Sequence, residues 1–241
     1  MPGSKLPITL PSADFFAECM RSLRIGKNHQ IVCYDHPGMF SVSRAAWMLR
    51  YFGASNVRIM NGGLQKWIKE GRSVASGPYT PGEGLADDGD YSFSVADPSR
   101  VITEVGRMHE LAGLLHGGSK DWHIIDTRPA ARFNGEVEEP KGVRGGNITG
   151  STNIPFGTFV DSETGCLKSD GELEKIFESK GCDMSKNMVH TCNVGITTCT
   201  ADLAWNIIGG KPASLYDGSW SEYVSWLTKS KLVSLCNLGT L

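Results

Sequence analysis

Cys192 opens the run Cys192-Asn193-Val194-Gly195-Ile196-Thr197, which lies between an apolar strand pattern, MVHT, and a helical pattern beginning near Thr198. Residues of these types in this order can do thiolate chemistry. Gly195 lets the chain curl, so that successive backbone N–H groups turn inward and, with the positive end of the following helix, form a ring that stabilises an anion. A cysteine at the head of such a ring has its thiolate favoured and can hold an anionic sulfur adduct. Asp35 heads a comparable run, Asp35-His36-Pro37-Gly38, after the strand pattern IVC.

The elements that must position these residues occur twice. Val32 aligns with Val189, Asp35 with Cys192 and Gly38 with Gly195, each 157 residues apart; Gly62 then aligns with Gly218 and Trp67 with Tyr223 at 156. Each copy reads as strand, loop, amphipathic helix, strand, Asn/Asp-Gly turn and helix, the signature of a parallel α/β sheet. In the first helix Val42, Ala45, Ala46, Leu49 and Phe52 share a face; in the second Ala201, Ala204 and Ile208 do, with Leu203 and Ile207 beside them. The second copy is preceded by a helix over Thr103–His116, strands at His123–Asp126 and Ser151–Phe156, and a helix over Gly171–Lys180. Ser76–Arg100, rich in Gly, Pro, Asp and Ser, reads as a linker.

Asp126 lies 66 residues before Cys192, and its counterpart in the first copy would fall about 31 residues before Met1. The first unit is therefore expected to lack its first strand. The reading is residues 1–75 as an incomplete, non-catalytic domain, 76–100 as linker and 101–241 as the catalytic domain.

Composition narrows the function classes. Among 241 residues, 24 Lys and Arg face 26 Asp and Glu, and 40% are hydrophobic. The balance gives no bulk attraction to nucleic acid or to an anionic membrane surface, and no run approaches a membrane span. Neither partner is expected. Met1-Pro2-Gly3-Ser4-Lys5 lacks the apolar core of a secretory signal, and the seven cysteines contain no Cys-x-x-Cys pair. A reducing compartment follows, the cytoplasm or the mitochondrion, with no metal and no cofactor expected. His36 and Cys33 read as structural. His190 reads as a satisfied strand histidine, and Cys199 as a helix packing residue. Thr198 stands where a cysteine phosphatase needs its phosphate-gripping Arg, which sets that reading aside.

Three stretches carry a family resemblance. YDHPGMFSVSRAAWMLRYFGASNVRIMNGGLQKWIKEG resembles the inactive first domain of the tandem rhodaneses, in which Asp replaces the nucleophile; HTCNVGITT resembles their active loop, Cys-x-x-Gly-x-Thr; ASLYDGSWSEY resembles their C-terminal signature. The resemblance implies an α/β fold of two rhodanese-like domains with parallel sheets flanked by helices, the first N-terminally incomplete. It also implies sulfurtransferase activity through a Cys192 persulfide, from a small anionic donor to a thiol, thioredoxin or cyanide. Arg132 matches a family arginine that holds the mercaptopyruvate carboxylate, and Lys141 stands at a second, keeping the charge without the bidentate fork. Arg144 could substitute. Asn193, Val194, Gly195, Ile196 and Thr197 would line the substrate, with Thr197 hydrogen-bonding the loop. Thiosulfate enzymes carry basic residues after the cysteine, so neutral Asn193 and Val194 favour 3-mercaptopyruvate. Val194 takes the place of a relay Ser, and Ile8 that of a relay His. A weakly catalytic rhodanese-like binding or regulatory protein is the alternative.

Overall fold

The structure is a computed structural model, and the described residues are 8–78, 80, 89–117 and 119–229. Two parallel sheets carry the chain. The first unit contains α1 (Ala13–Ser22), β1 (Ile31–Cys33), α2 (Val42–Tyr51), β2 (Val57–Ile59) and α3 (Gly63–Lys69). The second contains β3 (Val101–Ile102), α4 (Val105–His116), β4 (Trp122–Asp126), α5 (Ala130–Phe133), β5 (Ser151–Asn153), α6 (Asp170–Glu178), β6 (Asn187–Thr191), α7 (Thr198–Ile207), β7 (Ser214–Tyr216) and α8 (Ser219–Lys229). Its sheet runs β3-β7-β6-β4-β5, all parallel.

The register explains where chemistry is placed. β4 and β6 lie side by side in the middle of the sheet, paired from Trp122–Asn187 to Asp126–Thr191. They end at the same level, so the loops after them emerge together at the carboxyl edge, where parallel sheets bind ligands. Every residue of β6 after Asn187 is buried, as expected for a strand covered on both faces by helices.

The two units share packing. Phe16, Phe52 and Phe93 form the centre of the first core, with rings stacked at 4.4 Å and edge-to-face at 5.2 Å. Cys199 and Leu215 of the second unit close that same cluster. On the seam α2 lies against α7, and buried Thr200 Oγ1 donates to the Met39 carbonyl at 2.9 Å. Arg100 grips Asp202 of α7 with one nitrogen 2.9 and 3.0 Å from the two carboxylate oxygens.

Several expectations are adjusted by the structure. Ala45 is exposed, while Ser43 and Arg44 are buried; the seam with α7 turns the buried stripe of α2 towards them. The third strand of the second unit stops at Asn153, because Pro155 has no N–H to continue the ladder. Phe93, inside the stretch read as linker, is buried, and the Ser94 and Ala96 N–H groups donate to the carbonyls of Phe52 and Tyr51. Part of that stretch is thus wall, not tether. Residues 79 and 81–88 lie outside the described residues.

His190 departs from expectation in a way that can be measured. It is wholly buried between Ile125 and Leu215 on the neighbouring strands, and neither ring nitrogen has a hydrogen-bond partner among the described residues. Burial, reinforced by the Arg100 charge, pushes its pKa down to about 3. An unfolded histidine titrates near 6.5. The unfolded chain therefore binds the extra proton between those values, and stability falls as pH drops below about 6.5. At pH 5 this single ring costs about 2 kcal/mol. His190→Met is expected to flatten the acid limb of a urea-midpoint-against-pH curve by that amount. Parallel curves for the two proteins would contradict the assignment.

Candidate active site

The loop after β6 is a tight pocket of backbone around one sulfur. Gly195 takes φ +78°, a left-handed conformation that turns its N–H back to donate to Cys192 Sγ at 3.1 Å. The loop is clasped from outside by the start of α8: Trp220 N–H donates to the Cys192 carbonyl at 3.0 Å and Ser221 N–H to that of Asn193 at 3.2 Å. Ser221 Oγ also donates to Asn193 Oδ1 at 2.7 Å. Cys192 is 3% exposed. The sulfur thus lies in the loop that leads into the amino end of α7, with a backbone donor aimed at it, a setting that suits an anionic adduct on it.

The first unit displays the same architecture with an anion already in it. Asp35 Oδ2 accepts from the Ser41 N–H at 2.8 Å and the Val42 N–H at 3.2 Å, at the amino end of α2. Asp35 aligns with Cys192 in the repeat. An acceptor at this position thus meets backbone N–H groups in both units.

Of the other residues singled out, Asn193, Val194, Ile196 and Thr197 are half-buried in the loop and Gly195 is buried. Thr197 hydrogen-bonds not the loop itself but Thr127 Oγ1, at 2.8 Å, because β4 ends beside β6. This bond ties the two carboxyl-edge loops together. Arg132 lies on α5, in the loop after β4, half-exposed, with Nη1 3.6 Å from Glu139 Oε2. Arg144 is exposed and its carbonyl accepts from Trp220 Nε1 at 2.7 Å. Lys141 falls in the turn Pro140–Gly142, and its side chain lies outside the described residues. Cys199 donates to the Gly195 carbonyl at 3.6 Å, and burial pushes its thiol up to about 12. It is a neutral packing group.

A buried charge network here was not anticipated. Arg128 spreads its guanidinium over Asp126 (Nε to Oδ1 at 3.0 Å, Nη2 to Oδ2 at 2.7 Å), Glu139 (2.9 Å) and the Gly146 carbonyl (2.7 Å). It also lies 4.8 Å from the Trp220 ring centre. All three charged side chains are nearly inaccessible. Burial pushes the Asp126 carboxyl up, and the Arg128 fork opposes it. The network fixes the Thr127–Gly146 loop, which carries Arg132, against the helix that clasps Cys192. The available signal was the run Asp126-Thr127-Arg128 at a strand end, with Glu139 eleven residues after the arginine.

Gly195 gives a sharp test of this geometry. A Cβ there would stand 2.9 Å from the Asp217 carbonyl oxygen, in addition to adopting a left-handed backbone. Gly195→Ala is expected to cost about 1–3 kcal/mol of stability and to displace the N–H that faces Cys192. Chemical denaturation showing no loss would contradict the curl.

Two α/β units of common element order, one with a thiol and the other with a carboxylate in the same cradle, define a rhodanese-type protein. Residues 6–70 and 108–225 match the rhodanese-like domain. Thiosulfate sulfurtransferase of Gallus gallus is 36% identical over 223 residues, 92% of this chain and 72% of that protein. The 3-mercaptopyruvate sulfurtransferase of Escherichia coli K12 is 36% identical over 221 residues, 91% and 74% of the respective chains. The crystal structure of SseA from Escherichia coli, a 3-mercaptopyruvate sulfotransferase, superposes with a TM-score of 0.75 at 33% identity, covering 90% of this chain and 76% of that one. The chain belongs to the rhodanese family of sulfurtransferases.

Proposed function

We propose that the protein moves a sulfane sulfur from a small anionic donor to a thiol or cyanide through a persulfide on Cys192, with 3-mercaptopyruvate preferred to thiosulfate. The observation that carries this is the Gly195 N–H aimed at Cys192 Sγ, in a cradle whose counterpart holds the Asp35 carboxylate. The Cys192 thiolate attacks the donor sulfur, forming an S–S bond as the carbon–sulfur bond of 3-mercaptopyruvate breaks. The leaving pyruvate enolate takes up a proton. An acceptor thiolate then attacks the outer sulfur, the S–S bond breaks, and the Cys192 thiolate is restored. The acceptor leaves as a persulfide; with cyanide the product is thiocyanate.

The donor preference rests on side chains. Asn193 and Val194 supply no charge next to the nucleophile, which disfavours the dianionic thiosulfate. Arg132 is the cation we assign to the mercaptopyruvate carboxylate, with Lys141 as a second. The test is kcat/KM for both donors in the parent and in Arg132→Gln. The parent is expected to favour 3-mercaptopyruvate, and the variant to raise its KM at least about tenfold, a lost charge-assisted contact being worth 1.5–3 kcal/mol. Equal use of both donors, or an unchanged KM, would defeat the donor assignment. The near-complete burial of Cys192 and the apolar Ile8 and Val194 favour a second reading, a binding protein of slight activity. That reading predicts no gain of one sulfur in mass on Cys192 after exposure to either donor.

A further inference from the structure

Arg44 is carried by α2 of the first unit, yet it is 6% exposed and turned into the second. Its Nη2 lies 2.7 Å from Asp217 Oδ1, 173 residues away. Asp217 Oδ2 accepts the Leu10 N–H at 2.8 Å, so both oxygens are held by the first unit's side of the seam. Asp217 belongs to the turn between β7 and α8, directly before the N–H groups that clasp Cys192 and Asn193.

The other arm of the guanidinium has a different setting. Nη1 is buried and has no hydrogen-bond acceptor among the described residues, and the neutral Cys199 thiol lies beside the guanidinium. It stands 3.5 Å from where a Cβ on Gly195 would be, while the Asp217 carbonyl stands 2.9 Å from the same point. Cys199 closes the remaining side through the Gly195 carbonyl. The Gly195 peptide therefore faces Cys192 Sγ with its N–H and is walled behind by Arg44, Asp217 and Cys199. A buried ion pair is seldom a net gain over apolar residues of equal size, so stability alone is a weak account of this one.

We propose that Arg44 is a positioning residue which the first unit contributes to the sulfur cradle of the second, its second arm fixing the Gly195 peptide and hence the N–H that faces Cys192. This rests on the sulfur-transfer reading. It assigns the non-catalytic unit a task in the reaction: completing the rear wall of a site on the other unit.

Arg44→Lys is the decisive variant, because Lys keeps a cation facing Asp217 and deletes the second arm, giving up besides it only the long 3.4 Å contact of Nη2 to the Ile8 carbonyl and the guanidinium's place 5.6 Å from the Trp47 ring centre. Three quantities are read on folded protein: the urea midpoint, kcat and KM separately, and the rate at which iodoacetamide alkylates Cys192, followed by mass. The expected result is a folded protein with kcat lowered about tenfold, since a slightly misplaced donor costs 10- to 100-fold. KM stays within about twofold, and alkylation slows in proportion to kcat. Arg44→Met with Asp217→Asn, which removes the charge pair together, is expected to fall at least as far. Arg44→Lys with kcat and alkylation at parental values overturns the proposal, as does a raised KM with kcat unchanged. If the parent turns over neither donor while alkylation still slows in Arg44→Lys, the positioning role stands and the sulfur-transfer reading fails.

Discussion

Cys192→Ser is expected to fold like the parent and to lose at least about a thousandfold of its sulfur-transfer rate, the scale seen when a nucleophile is removed from a preorganised site. Serine is nearly isosteric, and its Oγ can accept the Gly195 N–H that now meets the sulfur at 3.1 Å. What it cannot do is ionise near neutral pH or form an S–S bond to a donor. The measurement is thiocyanate or pyruvate formation under saturating donor, together with intact mass. The parent should gain one sulfur and the variant none. A variant retaining a tenth of the parental rate, or gaining sulfur at another cysteine, would remove Cys192 from the mechanism.

Arg128→Met is expected to produce the largest loss of stability, about 3–5 kcal/mol, because it leaves buried Asp126 without its cation and buried Glu139 with only the longer 3.6 Å contact to Arg132. Asp126 and Glu139 have no exposed side-chain surface. Methionine fills the space over Trp220 but returns none of the hydrogen bonds to Asp126, Glu139 and Gly146. Arg128→Lys should recover only part of the loss, since one ammonium cannot span three acceptor groups in different directions. Equilibrium urea unfolding reads both. A drop below about 1 kcal/mol for Arg128→Met would mean that the network is solvated and carries little of the fold.

How far the molecule was legible in its sequence follows from the range of the contacts. The repeat, the Cys192 loop and the Asp35 counterpart are local patterns of strand, glycine and helix, and the pairing of two copies made each more secure. The parallel order of strands followed from the strand–helix–strand rhythm. The side chains that lock the site did not follow. Arg128 reaches Glu139 across eleven residues and Arg44 reaches Asp217 across 173, and neither spacing is a motif. Of the stripe read on α2, Val42, Ala46, Leu49 and Phe52 are buried, and Ala45 alone is exposed, because the surface of α7 calls for Ser43 and Arg44 at the seam. Thr197 was expected to serve its own loop because its partner, Thr127, is adjacent only through the β4–β6 register. His190 was expected to be satisfied, as most buried polar groups are, and a strand pattern cannot reveal that none of its neighbours among the described residues supplies a partner.

The Asp35 cradle has a consequence for stoichiometry. Its carboxylate is tethered by the chain and engaged by two backbone N–H groups, so that place behaves as a site permanently filled by its own ligand. No external anion can compete with a group at such effective concentration. On the sulfur-transfer reading, the two-fold pattern of the fold therefore supports no two-fold capacity. Saturation would occur at one sulfur per chain, with no cooperativity between halves, and the first unit would take part through the seam that carries Arg44 and not through its own cradle.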